Sequence, residues 1–470
     1  MSATATTEKK YLKWYQKLAY GSGDLASNCS YGLVSSFVLL YLTGTLGLDS
    51  AIIGSLMLAS KVLDGISDVI FGTLIDRTHS KLGKARPWML FGQVGVSLCL
   101  FLLFAIPAGS TTMQYIYFFI VYTALNAVFY TANGIAYSSL VALITKNNNE
   151  RVQLGSFRFM FAVVTNIFMG FAVTGMVEKF GSGAAGWRTT ALIFAIVGLV
   201  VNTISCLAVK ELPEEELSGN TSEAAEEGKA VAEEKKHGFA ETAKILVHNK
   251  YYLMIRAIYI VYYIMSNLTT GAGVFCATYY WGDGSLLGQF SMMKMFPVII
   301  ALAIAPVLIK KTGSMQKVNF WGYAISSVLG IPMIYFAMQK NLSMFLLFMF
   351  IKGIFAGTLS GSLNALIAEA SGYTTRTTGI HMDGMMYSCS SLGVKVGGGI
   401  GTAAVGWLLK LGGFVGTATV QSESAIRMIF NLYITFPFVI GIIITVLLAF
   451  LDVEKANKKW DAEHQKEAQA

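Results

Sequence analysis

Twelve long apolar segments constrain this chain more than any other feature. They run at about 20–45, 50–76, 87–108, 114–145, 152–177, 188–209, 251–281, 285–309, 318–338, 342–369, 379–410 and 424–451. A bilayer is crossed by ~20 apolar residues in a helix. Tilt or extension beyond the membrane absorbs the excess in the longer segments. Charged residues make up only 13% of the chain, against about 25% in soluble proteins. The expected fold class is therefore an all-α membrane protein with 12 transmembrane helices.

The distribution of basic residues sets the expected topology. Lys9, Lys10, Lys13 and Lys17 precede the first segment, and "MSATATTEKKYLKWYQKLAYG" has no apolar leader core. Arg77, Lys81, Lys84 and Arg86 follow the second segment. Lys146 and Arg151, then Lys310, Lys311 and Lys317, then Arg376, and finally Lys455, Lys458 and Lys459 fall on the same side. The intervening connections are poor in base, as in "PAGSTT" and "WGDGS". The positive-inside rule then places both termini in the cytoplasm of a multi-pass cell (inner or plasma) membrane protein. The net charge of +8 is explained by these loops, so no nucleic-acid partner is expected. The five cysteines, Cys29, Cys99, Cys206, Cys276 and Cys389, all lie in apolar segments without metal-ligand or disulfide spacing.

The longest polar stretch, "KELPEEELSGNTSEAAEEGKAVAEEKKHGFAETAKILVHNK", has the composition of a linker. Six segments precede it and six follow. The expected division is an N-terminal half at 1–209, a cytoplasmic linker at 210–250, a C-terminal half at 251–451 and a cytoplasmic tail at 452–470. Two six-helix halves are the layout of a transporter with parallel repeats. A short echo supports the repeat: "GTLIDRTHSKLGK" follows the second segment and "PVLIKKTGSMQK" the eighth.

Charges inside apolar segments mark the functional candidates. Asp, Lys or Arg at mid-membrane costs about 2.5–3.5 kcal/mol each. Lys61, Asp64 and Asp68 are spaced i, i+3, i+7 and share one helical face. They read either as a structural ion-pair cluster or as a coupling-cation site, where two carboxylates offer hard oxygen ligands or carry a proton. Arg158 and Lys395 are the next most costly charges. Asp24 opens the first segment as either a helix cap or a site residue, with Asn28 one turn on. Lys294, Lys352 and Glu369 stand nearer segment ends, where snorkelling or gating pairs are expected. Asn126, Tyr130, Thr131, Asn133 and Tyr137 in the fourth segment, and Asn267, Tyr279, Tyr280 and Trp281 in the seventh, add polar and aromatic groups. They suit a hydroxyl-rich solute, helix-packing hydrogen bonds or an interfacial belt. No nucleophile–base set, phosphate loop or metal motif is present, so an enzyme is not expected, nor any cofactor.

The stretch "DGISDVIFGTLIDRTHSKLGKARPW" resembles the signature of the glycoside–pentoside–hexuronide:cation symporters through Asp64, Asp68, Gly72 and Asp76, then Gly83, Lys84, Arg86 and Pro87. Leu82 and Ala85 replace a Trp and an aromatic residue of that pattern. "YGSGDLASN", "ERVQLGSF" before Arg158, and "AEASGYTTRTTGIHMDGMMYSCSSLGVKVGG" extend the resemblance over nearly the whole chain. It implies the major facilitator fold and Na⁺- or H⁺-coupled symport of a glycoside, pentoside or hexuronide. By the pattern of melibiose permeases it implies cation binding by Asp64, Asp68 and Thr131. Arg158 and Lys395 would lie by the sugar and cation sites, and Lys61 would join their charge network. Asp24, Asn28, Asn133 and Tyr137 are the further sugar-side candidates, and Asp76, Arg77, Arg86 and Glu369 the cytoplasmic gate. Where melibiose permeases hold galactosyl hydroxyls with two Asp residues and stack a Trp on the sugar, this chain has Asn28, Gly134 and Ser138. The opening "GDLASN" looks more like the glucuronide and xyloside branches. A non-sugar solute such as a lipid or drug is the alternative cargo, and a transporter-like receptor a further class. A monomer is the expected functional unit.

Overall fold

The computed structural model describes residues 9–213, 245–380, 383–418 and 420–467. Its long helices, numbered here by membrane crossing, are α1 Trp14–Thr45, α2 Ser50–Asp76, α3 Arg86–Leu103, α4 Thr111–Ile144, α5 Asn148–Lys179 and α6 Gly183–Leu207. There follow α7 Lys250–Trp281, α8 Leu286–Thr312, α9 Met315–Met338, α10 Leu342–Thr378, α11 Ser390–Leu411 and α12 at 423–450, with a shorter α13, Val453–Glu467. Among the described residues, 11 helices meet a strict test of length and apolarity for crossing a membrane. The charged α2 completes the set of twelve. The fold is the all-α fold expected from the apolar segments. Most of the expected linker, and the extreme termini, lie outside the described residues.

Short polar residues set many helix starts. Asp49 accepts from the amides of Ala51 and Ile52, Ser110 from Met113 and Asn147 from Glu150. Asn249, Ser314 and Asn341 do the same for α7, α9 and α10. Each satisfies amide donors that a helix leaves without intrahelical partners. The first helix differs from expectation at its start. It begins at Trp14, so Asp24 stands inside the α1 region rather than ahead of it.

The chain forms two compact units. The first comprises Met1–Gly219 with Ala277–Gly288 and Gly406–Ala425, and the second comprises Asn220–Cys276, Gln289–Val405 and Ile426–Ala470. In the first, α1 packs on α5 and α6, α3 on α6, and α2 on α4. Tyr20, Met89, Leu140, Leu154 and Cys206 belong to one of its buried cores. In the second, α9 packs on α10 and α12, and α7 on α11 and α12, around Ile255, Leu359, Leu366 and Leu448.

The short sequence echo has a structural counterpart in each unit. Thr78 Oγ1 donates to Leu74 O at 2.7 Å, and Thr312 Oγ1 donates to Leu308 O at 2.9 Å. Thr78 closes α2 within the basic 77–86 connection, and Thr312 closes α8 just after Lys310 and Lys311. The next helix is then clamped by a glutamate from beyond the sixth or twelfth crossing. Glu211 accepts from the amides of Lys84, Ala85 and Arg86 at 2.7–3.0 Å. Glu454 accepts from the amides of Met315 and Gln316 at 2.8 and 3.1 Å, and also from the Ser314 hydroxyl. A carboxylate at a helix N-terminus meets both orphan donors and the positive end of the dipole. Gly83 stands at φ 108°, and an added Cβ would come within 2.3 Å of Glu211. We therefore expect Glu211→Ala to cost about 2 kcal/mol and to lower the thermal midpoint of the detergent-purified protein. An unchanged midpoint would remove the clamp from the account of the fold.

Candidate functional site

The first unit gathers Lys61, Asp64, Asp24 and Arg158 into two clusters that share α1 and α4. One joins α1 to α5. Arg158 Nε lies 2.6 Å from Asp24 Oδ2, with side chains 26% and 18% exposed. The guanidinium also sits 4.2 Å from the centroid of the Tyr137 ring, a cation–π contact. Tyr137 in turn donates to Tyr20 O at 2.8 Å, and Tyr20 returns a bond to Tyr137 O. Asn28 donates to the Asp24 carbonyl at 2.7 Å and accepts from Asn166 Nδ2 at 2.9 Å.

The glycines of "YGSGD" explain how α1 comes so close. A Cβ on Gly21 would fall 2.5 Å from Phe157 Cβ on α5, and one on Gly23 would fall 2.7 Å from the Tyr137 ring on α4. Bare backbone at these two positions lets α1 approach both helices, which puts Asp24 beside Arg158. The Asp24 carboxylate therefore serves an ion pair rather than a helix cap.

The second cluster joins α2 to α4. Lys61 Nζ lies 3.6 Å from Asp64 Oδ2, with side chains only 16% and 14% exposed. The ammonium is 5.6 Å from the centroid of the Tyr31 ring, which stacks on Tyr130 at 5.4 Å. On its other oxygen, Asp64 accepts from Thr131 Oγ1 at 2.6 Å. That hydroxyl also lies 2.9 Å from Asn126 O. A hydroxyl has one proton, so it cannot donate fully to both acceptors. The arrangement concentrates oxygen atoms around a partly buried carboxylate. Asp68 is partly buried one turn further along α2.

Wide helical turns position two of the predicted residues. Ala124–Tyr130 is π-helical and ends immediately before Thr131, and Gly393–Gly397 is π-helical and contains Lys395. Such turns recur at functional sites because they shift the facing of the residues that follow. Periodicity in sequence carries no signal for them. Lys395 is partly buried in the second unit.

Other candidates have more local surroundings. Asn133 is buried and donates to Gln93 Oε1 at 2.6 Å, joining α4 to α3. A Cβ built on Gly134 beside it would meet no atom within 4 Å. Asp76 and Arg77 are exposed at the end of α2. Arg86 Nε donates to Cys206 O at 3.3 Å. Glu369 accepts from Asn457 Nδ2 at 2.9 Å, and Arg376 pairs with Asp461 at 3.2 Å, so both hold α13 against α10.

Sequence reasoning passed over several participants. Asn166 and Tyr31 complete the two clusters, and a lone Asn in the apolar run "VVTNIF" was the available signal for the first. Glu150 accepts from Lys17, Thr145 and the amides of Tyr11 and Leu12, so the basic N-terminus is also a structural strap. At the other end of α2 from the basic loop, Asp49 Oδ2 meets Lys410 Nζ at 2.6 Å. Burial pushes the Asp49 carboxyl up, but Lys410 and the amides of Ala51 and Ile52 outweigh it and hold it below the ordinary carboxylate range. Ser50 Oγ donates to Gly406 O and Trp407 Nε1 to Ser55 Oγ, both at 2.9 Å, in the same region. Among the described residues, no group of three or more His, Cys, Asp or Glu side chains forms a metal-ion site.

The family model for "MFS/sugar transport protein" matches residues 19–455. The chain belongs to this family. Members of the MFS/sugar transport family are secondary transporters rather than enzymes, and this multi-pass protein moves small organic solutes across a bilayer by alternating access. The chain is similar to the isoprimeverose transporter of Lactiplantibacillus pentosus, with 26% identity over 98% of this chain and 93% of that one. It is also similar to the putative glycoside/cation symporter YagG of Escherichia coli (strain K12), with 24% identity over 94% of this chain and 92% of the other. Among solved structures, a bacterial homologue of the human lysosomal transporter Spinster shares the fold, with a TM-score of 0.66 and 13% identity over 95% of this chain and 97% of that one.

Proposed function

We propose that the chain is a Na⁺- or H⁺-coupled symporter that carries a glycoside, pentoside or hexuronide into the cell. The observation that carries this reading is the Lys61–Asp64–Thr131 constellation on α2 and α4, with Asp68 one turn away. Carboxylate and hydroxyl oxygens are the ligands that a hard cation prefers. A proton on Asp64 would serve the same purpose, since the protonated acid donates to Thr131 and frees that hydroxyl for Asn126 O. Lys61 is the resident countercharge. A coupling cation replaces it at Asp64 and leaves the ammonium to the face of Tyr31. The Asp24–Arg158–Tyr137 cluster, with Asn28 and Asn166, supplies the polar and aromatic groups for a hydroxyl-rich solute, and the free space at Gly134 adds room beside it.

Coupling requires that cation and solute each raise the affinity for the other, by the same factor. Lys395 belongs to this network in the proposal, and Asp76, Arg77, Arg86 and Glu369 to the cytoplasmic gate. Similarity to an isoprimeverose transporter and to a putative glycoside/cation symporter supports the solute class. The protein would act as a monomer in the cell membrane with both termini cytoplasmic.

The test is counterflow in proteoliposomes with a panel of neutral glycosides, pentoses and hexuronides, with and without Na⁺, at two pH values. At least one member should exchange, and faster with Na⁺ or at the lower pH. Exchange that ignores both cations would refute coupling, and movement of none of the panel would refute the solute class.

A further inference from the structure

A cavity of about 190 Å³ lies wholly within the second unit, among α7, α8, α9, α10 and α12. Two lysines line it, Lys294 from α8 and Lys352 from α10, and no carboxylate does. The ammonium of Lys294 donates to Thr269 Oγ1 and Thr270 Oγ1, both at 3.2 Å. Those hydroxyls spend their own protons on backbone, Thr269 on Met265 O or Ser266 O and Thr270 on Ser266 O. Lys294 therefore has, among the described residues, neutral acceptors and no countercharge. Among the described residues, Lys352 has neither an ion pair nor a hydrogen bond from its ammonium. Both side chains face this cavity.

Two like charges without a carboxylate, facing one cavity inside a membrane helix bundle, carry a cost that an anion would offset. The rest of the lining is of a different kind. Met265, Met293, Met349 and Phe345 give an apolar, adaptable wall. The Tyr262 hydroxyl lies 2.8 Å from Ser360 Oγ and is already engaged. Tyr323, Ser326, Ser327 and Tyr433 add hydroxyls, but the surface that faces the cavity is mostly apolar. It suits a molecule with one acidic group and an apolar body.

We propose that Lys294 and Lys352 form a binding site for an organic anion, a small molecule bearing one carboxylate or sulfonate on an apolar frame. The site is independent of the cation cluster on α2, and its test needs no ion gradient. The full chain is purified in nanodiscs, and the binding of benzoate, benzenesulfonate and the neutral isostere benzyl alcohol is measured by calorimetry. Both anions should bind, and benzyl alcohol should bind about tenfold more weakly or not at all. Lys352→Met and Lys294→Met should each weaken the anions about tenfold or more. Lys352→Arg keeps the charge and should retain most of the affinity, which separates loss of charge from loss of folding. Equal affinity for benzoate and benzyl alcohol, no binding of either anion, or benzoate binding unaffected by Lys352→Met would each overturn the proposal.

Discussion

Asp68→Asn is expected to abolish accumulation of solute against its gradient while leaving the protein folded. The same outcome is expected of Asp64→Asn, which also weakens the acceptor of the 2.6 Å Thr131 bond. The amide is close to isosteric with the carboxylate but carries no charge to neutralise a cation. Linkage between two ligands is typically worth about 5- to 150-fold in affinity. In either variant the dependence of solute affinity on Na⁺ or pH should vanish, whatever its size in the native protein. Energised uptake and equilibrium exchange, measured in the same proteoliposomes, separate the outcomes. Loss of accumulation with exchange retained is the expected pattern. Undiminished accumulation in both variants would place the coupling ion elsewhere. Lys61→Met offers the converse control, because removing the resident countercharge should strengthen cation binding at Asp64.

The second large effect falls on the pair between α1 and α5. Arg158→Met leaves Asp24 partly buried without its countercharge, and Asp24→Asn does the same to Arg158. Losing one partner of a buried pair costs about 3–5 kcal/mol. The partial exposure of both side chains argues for the lower end, about 3 kcal/mol, because water screens the survivor. Removing both charges together should cost less than either single change, since no unpaired charge remains. Thermal midpoints in detergent test this directly. If instead the losses simply add, the pair contributes packing rather than compensation of charge. Solute binding should fall in all three variants, because the Asp24–Arg158–Tyr137 group is also the proposed sugar side.

The helices were legible in sequence because the physics that sets them is one-dimensional. A bilayer demands long apolar runs, and each run here became a helix, although α10 continues to Thr378, well past its expected end, and α11 begins later than expected. The charges on α2 were legible for the same reason: Lys61, Asp64 and Asp68 stand out against an apolar background, and helical spacing puts them on one face. The repeat echo was also readable, although only the structure gave it content through Thr78, Thr312 and the glutamate clamps. Reading was less complete where function depends on partners. Asp24 resembled a helix cap until Gly21 and Gly23 were seen to bring it against Arg158. Glu369 resembled a gate residue, and in the structure it also holds α13 through Asn457.

By itself the sequence determined the number of crossings, the expected topology and the residues whose charge needs a reason. Those follow from transfer free energies and from the 3.6-residue period, both of which are properties of a single segment. Only the tertiary structure decided which groups pair between helices. Arg158 meets Asp24 and Thr131 meets Asp64, while among the described residues Lys294 and Lys352 meet no acid. Pairing depends on how closely helices approach and on where a turn widens, as it does just before Thr131. Those are properties of packing between segments far apart in the chain, and a linear pattern of apolar and charged residues does not encode them.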